Sequence, residues 1–199
     1  MVSPAKRVRL SSEQRRAQLL ELGLQLLSDR PIDEISVEEL ADSAGISRGL
    51  LFHYFRSKQD FRLAVASEAA RVMLEVTEPN PAEPPIPRMS AALGRLVDYV
   101  TENSQAYISL VRGAASGDAD MRELFERTRG VHAARILAGL RELGVELTPA
   151  VELGVHGWVA FAEETIVRWL RSSGDPRRLS RGELIDLLVG AVLALTLQP

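Results

Sequence analysis

Cysteine is absent from this 199-residue chain. Disulfides and thiolate metal sites are thereby excluded, and redox chemistry says nothing about compartment. Lysine occurs only as Lys6 and Lys58, against 22 arginines. With arginine the default cation, no single arginine is by itself a sign of a phosphate site. Histidine is limited to His53, His132 and His156, far apart in the sequence. Zinc-protease, P-loop, nucleophile-elbow and metal-ligand spacings are all missing, so nothing supports an enzyme or a bound metal or cofactor. Long apolar runs are missing too. The longest, Leu187 to Leu195, has nine residues, against the ~20 a bilayer span requires. Lys6, Arg7 and Arg9 are followed by no apolar segment, which argues against a secretory signal. A cytoplasmic protein is expected.

What is present reads as helix. Apolar residues make up 46% and charged residues 26%, ordinary for a globular protein with a substantial core. β-Branched residues are scattered and no stretch alternates with period two. Serine caps predict a first helix after Ser11 or Ser12 that ends before Pro31, a second opening at Ser36 with Glu39 three residues on, a third near Ser47, and a fourth from Ser57 to about Thr77. "EPNPAEPPIP", Glu78 to Pro87, holds five of the ten prolines and breaks the pattern. Further helices are expected over about 88–103, 105–115, 118–143, 148–173 and 180–197, punctuated by Gly117, Gly144 and Gly174. The fold class is all-α, with about nine helices.

Aromatic residues are only 5% of the chain, yet Phe52, Tyr54, Phe55 and Phe61 fall within ten positions, beside His53, Arg48 and Lys58. Between Ser36 and Phe55, the residues Leu40, Ala41, Ala44, Ile46, Leu51 and Phe55 share one interior if Gly45 reverses the chain between two helices. That is the spacing of a helix-turn-helix. It leaves Ser47, Arg48, Gly49, His53 and Tyr54 outward, a surface suited to a phosphate-lined groove. Paired amphipathic helices with a glycine turn also occur in many proteins that bind no DNA, so spacing alone leaves both readings open. Net charge is −3 overall. Residues 1–62 carry ten basic and nine acidic side chains, the remainder fourteen and eighteen, a weak asymmetry.

The stretch "VEELADSAGISRGLLFHYFRSKQDF", Val37 to Phe61, resembles the N-terminal signature of the TetR/AcrR transcriptional regulators. The Ala-(x3)-Gly-Ile-Ser core, the aromatic recognition helix and the Ser-Lys opening of the fourth helix carry the likeness, which covers roughly residues 12–62. The resemblance implies an N-terminal DNA-binding domain over residues 1–56, with a basic tail at 1–10, and a ligand-binding and dimerisation domain over 57–199. It implies DNA contacts from Ser36, Ser47, Arg48, Gly49, His53, Tyr54 and Lys58. Phe52 stands where tyrosine is usual, Leu50 replaces a small or hydroxyl residue, and Glu38 lies where a base-reading side chain can occur.

A lone helix-turn-helix binds weakly, so a homodimer on a palindromic double-stranded operator is expected. The resemblance places the dimer interface on the last two helices, with Leu153, Gly157, Ala160, Phe161, Leu188 and Val192 as candidates. It also implies a small-molecule effector, lipophilic by the apolar middle helices. Met73, Tyr99, Asn103, Tyr107, Phe125 and His156 are candidate ligand contacts, and His132 and Glu163 are further polar groups able to orient a ligand. The expected activity is repression relieved when the effector shifts the population of two conformations. The rivals are a sequence-tolerant architectural DNA binder, against which the acidic second part argues, and a helical enzyme.

Overall fold

The computed structural model describes residues 11–29, 34–113 and 118–196. The expected basic tail around Lys6–Arg9, the Pro31 stop, Gly117 and the last turn at Leu197 lie outside the described residues. Among the described residues there are nine α-helices and no strand: α1 (Ser12–Asp29), α2 (Val37–Ser43), α3 (Arg48–Tyr54), α4 (Lys58–Val76), α5 (Pro85–Glu102), α6 (Ser104–Gly113), α7 (Ala119–Glu142), α8 (Pro149–Arg171) and α9 (Arg181–Thr196).

Caps explain most starts. Ser11 Oγ accepts from the Gln14 amide at 3.1 Å while Gln14 Oε1 accepts from the Ser11 amide at 2.9 Å, a reciprocal box that opens α1. Ser36, Ser47 and Ser57 accept from the amides of Glu39, Leu50 and Asp60 at 3.1, 3.2 and 3.0 Å. Each satisfies a donor that the first turn leaves without a partner. Gly45, at φ +63°, supplies the left-handed residue that turns α2 into α3.

α5 departs from expectation. It begins at Pro85, inside the proline-rich run rather than after it. Proline at the first helical position loses no hydrogen bond, because that amide has no acceptor within the helix. The run is therefore a helix start as well as a break.

α1–α3 close around Leu19, Leu27, Ile35, Leu40, Ala41, Leu51 and Phe55, all buried, with Phe61 and Val65 of α4 completing the cluster. Phe55 and Phe61 meet edge to face with centroids 5.1 Å apart. α1 crosses α4 at Gly23, where an added Cβ would lie 2.5 Å from Val65 Cγ2 and 2.9 Å from Phe61 Cζ. Only hydrogen fits that crossing.

α4 continues from this cluster into the larger one, packing on α5, α6 and α7. Its C-terminal carbonyls are tied down by arginines. Arg95 Nε and Nη2 donate to the Val76 and Glu78 carbonyls, both at 2.8 Å, and Arg135 Nη2 donates to the Leu74 carbonyl at 3.1 Å. Near its other end, Gln59 Nε2 donates to Asp118 Oδ2 at 3.1 Å. α9 is held against α5 by a two-pronged Arg181–Asp98 pair at 2.6 and 2.7 Å. It is held against α8 by the Trp158 indole, which donates to the Leu188 carbonyl at 3.0 Å.

Candidate nucleic-acid interface and effector cavity

The short helix α3 buries Leu51 and turns the rest of its surface out. Ser47, Arg48, Gly49 and His53 are exposed, Tyr54 is half-buried against the core, and Lys58 is exposed at the start of α4. Ser36 is half-buried at the start of α2. The sequence-predicted DNA contacts thus share the side formed by α3 and the openings of α2 and α4. Ser36 and Ser47 use their oxygens as acceptors for the cap, which leaves each hydroxyl proton free to donate to a phosphate. At Gly49 an added Cβ would meet nothing nearer than Ser47 Oγ at 3.9 Å. The protein's own packing does not require glycine there.

Two features escaped sequence reasoning. Arg48 Nη2 pairs with Glu38 Oε1 at 2.9 Å, across from α3 to α2. Both side chains are more than half exposed, so the pair contributes at most about 1 kcal/mol. It steers the guanidinium without locking it. The ten-residue separation gives no periodic signal in the sequence. Leu50 and Phe52 are also exposed, at 40% and 42%. Phe52 carries no hydroxyl, and it offers α3 an apolar ring at the surface instead.

Behind α4 lies a cavity of about 220 Å³, walled mainly by apolar side chains of α4, α5, α7 and α8 with Tyr107 and Val111 of α6. Of the six candidate ligand contacts, Met73, Tyr107 and Phe125 line it, as do His132 and Glu163. Tyr99, Asn103 and His156 do not. The Tyr99 hydroxyl donates to the Ala69 carbonyl at 3.3 Å, Asn103 Nδ2 donates to the Tyr99 carbonyl at 2.9 Å, and His156 is exposed on α8. The first two are spent on helix packing and a helix end, which composition cannot distinguish from a ligand role. Trp158, Thr128 and Arg135 line the cavity and were not foreseen.

The electrostatics of the cavity are balanced. Arg129 packs on the Phe125 ring, 4.2 Å from its centroid, and holds Glu163 by hydrogen bonds from Nε and Nη2. Burial nevertheless pushes the Glu163 carboxyl above the usual range, with Arg129 opposing the shift. Arg88 pairs with Glu142 and Arg135 with Glu78. His132 is pushed down to about 4, first by burial and then by the Arg135 charge, so its ring is neutral at physiological pH.

The interface candidates need correction. Leu153, Gly157 and Phe161 are exposed and Ala160 is half-buried, on one stripe of α8. Leu188 and Val192 are fully buried inside the protomer and cannot meet a partner. α9 is apolar nearly all round because one side packs on α5 and α8 while the other carries Leu187, Gly190, Ala194 and Leu195 outward. Leu153, Leu187 and Leu195 are 75%, 44% and 55% exposed. Large apolar side chains this exposed, gathered on two helices that pack on each other, are of the kind that mark interaction surfaces.

Comparison with known proteins agrees with this architecture. A model of the bacterial regulatory proteins of the tetR family matches residues 19–65, and one of the tetracyclin repressor-like C-terminal domain matches residues 85–195. The chain is similar to the HTH-type transcriptional regulator EthR of Mycobacterium tuberculosis, 36% identical over 185 residues that cover 90% of this chain and 73% of EthR. It is similar over a shorter stretch to the HTH-type transcriptional repressor KstR2 of Mycolicibacterium smegmatis, 44% identical over 45 residues, 23% of this chain and 22% of that protein. A crystal structure of a tetR-family transcriptional regulator from Streptomyces coelicolor superposes with a TM-score of 0.80 at 34% identity, covering 94% of this chain and 82% of the other. No helix among the described residues is long and apolar enough to cross a membrane. The chain belongs to the tetR family, and it is a DNA-binding transcriptional regulator, not an enzyme.

Proposed function

We propose that the protein is a homodimeric repressor that binds a palindromic operator through α3 and is released by a small lipophilic effector held behind α4. The observation that carries this reading is the reach of α4. Its first residue, Lys58, is exposed beside α3, while Met73 and the Thr77 that caps its end line the cavity. Any ligand that fits one placement of α4 better than another shifts the placement of the DNA-binding surface, and only that difference in affinity drives the shift. Residues 1–56 serve DNA and residues 57–199 serve ligand and partner, with α4 common to both. Repression follows if the bound dimer occludes a promoter. KstR2, named a repressor, matches part of this chain.

On DNA, Arg48 exchanges Glu38 for the edge of a guanine, and Tyr54, Lys58, Ser36 and Ser47 hold phosphates, while Gly49 admits the backbone and His53 faces the groove. The exposed stripes of α8 and α9 meet those of a second copy, with Gly157, Gly190 and Ala194 allowing close approach. Leu153, Ala160, Phe161, Leu187 and Leu195 provide the apolar contact. Two substitutions separate the assigned roles. Arg48→Ala relaxes base preference at one position of each half-site, by about 1–3 kcal/mol. Lys58→Ala weakens all sequences alike and lowers the salt slope by about one. Binding to a set of operator variants at several salt concentrations reads both. Equal loss on every sequence from both variants contradicts the assignment.

A further inference from the structure

We propose that Glu38 of α2 reads a cytosine in each half-site, its carboxylate accepting from the cytosine N4 amino group at the base pair next to the guanine that Arg48 reads. This rests on α3 being the surface that meets DNA, and it adds a second specificity-determining residue from the helix beside it.

Glu38 lies in the first turn of α2, where Val37, Leu40 and Ala41 are buried and anchor the helix to the domain core. Its own side chain is 53% exposed. Its one ion pair among the described residues reaches across to α3, where Arg48 Nη2 donates to Glu38 Oε1 at 2.9 Å. That contact fixes where the carboxylate stands. It is one hydrogen bond away from the guanidinium, and both helices are held by buried side chains, α3 by Leu51. Docking α3 in the major groove therefore carries Glu38 to the groove as well. A guanidinium that reads guanine bidentately fills the edge of its own base pair. Glu38 is left the pair beside it, one step of about 3.4 Å along the duplex.

A carboxylate has few partners there. It accepts hydrogen bonds and donates none. Phosphates repel it, and guanine N7 and O6, adenine N7 and thymine O4 are acceptors like itself. The donors of the major groove are the amino groups of cytosine and adenine. Beside the adenine amino group lies N7, whose lone pair faces the second carboxylate oxygen. Beside the cytosine amino group lies the C5–H edge, with no lone pair. Cytosine N4 is thus the group that replaces Arg48 as the partner of Glu38 once Arg48 turns to its guanine. At a site without that cytosine the released carboxylate faces acceptors and phosphates alone, so Glu38 also weakens binding to wrong sequences. A residue that merely steered Arg48 would do neither, and its loss would alter the guanine position alone.

Sites are selected from random double-stranded DNA with the full-length protein and with Glu38→Gln, Glu38→Ala and Arg48→Ala. Each protein is then titrated with the enriched duplex, its single-base variants and random duplex, and melting curves check that the variants are folded. The wild type is expected to enrich cytosine at the pair next to the guanine that Arg48→Ala abolishes. Glu38→Gln is expected to move that preference from cytosine to adenine by about tenfold, because an amide pairs with adenine N6 and N7 together. Glu38→Ala should lose the preference at that pair, keep the guanine, and bind random duplex several-fold more tightly than the wild type. A neighbouring pair read as in the wild type by both Glu38 variants overturns the proposal while α3 remains the reader, and so does a change confined to the guanine position. Random duplex bound no more tightly by Glu38→Ala overturns it too. Sites indifferent to Arg48→Ala as well contradict the α3 reading itself.

Discussion

Glutamate at both Phe161 and Leu187 yields a folded monomer that no longer holds operator DNA. The two side chains lie outside the protomer core, 43% and 44% exposed, so their replacement costs the fold little, within about 0.5 kcal/mol at each position. The dimer is affected differently. Across the two-fold axis of the proposed dimer each substituted patch would meet its own copy, so four carboxylates would enter the proposed apolar contact. Like charges placed so cost several kcal/mol. Once apart, each protomer engages one half-site with no tethered neighbour, and operator affinity falls by about 10²–10⁴. Sedimentation or light scattering gives the mass, thermal melting checks the fold, and operator titration gives the loss. A dimer that survives both glutamates places the interface elsewhere than α8 and α9.

Trp158→Ala produces the largest loss of stability expected from a single change. The indole is 3% exposed, packs between α8 and α9, and donates to the Leu188 carbonyl at 3.0 Å. Truncation to alanine removes the largest side chain of this contact and opens space beside an existing cavity, with a cost of about 3–5 kcal/mol. For a chain of this size that lowers the melting temperature by about 10–15 °C. Trp158→Phe keeps most of the ring and loses the hydrogen bond, so about 1 kcal/mol is expected. Melting curves of the two variants check the ranking. A loss in Trp158→Ala no larger than in Trp158→Phe would show that packing at this position contributes little beyond its hydrogen bond.

The helices were legible because caps and breakers are local chemistry. Serine before a helical run and glycine after it act within four residues, so Ser36, Ser47, Ser57, Gly45 and Gly144 mark their elements without reference to the rest of the fold. The start of α5 was misjudged by three residues for the same local reason, since proline signals both the end of one helix and the first turn of another. The helix-turn-helix was legible because its burial pattern and a dense motif coincide. The cavity was only half legible. Met73, Tyr107 and Phe125 line it, yet Tyr99 and Asn103 have the same residue character and are consumed by helix packing. Which face of a middle helix looks inward depends on neighbours distant in sequence. The last helix shows the limit most plainly. Leu187 and Leu188 are adjacent leucines, one 44% exposed and the other fully buried, and only the positions of α5 and α8 decide between them.

The most direct measurement is selection of binding sites from random double-stranded DNA by the full-length protein. The expected product is a palindrome whose half-sites are centred about one helical turn apart, about 34 Å, or a multiple of it, and whose guanine preference disappears with Arg48→Ala. No enriched sequence, or a single unrepeated element bound with unchanged preference by the Arg48 variant, would contradict a dimeric regulator that reads its operator through α3.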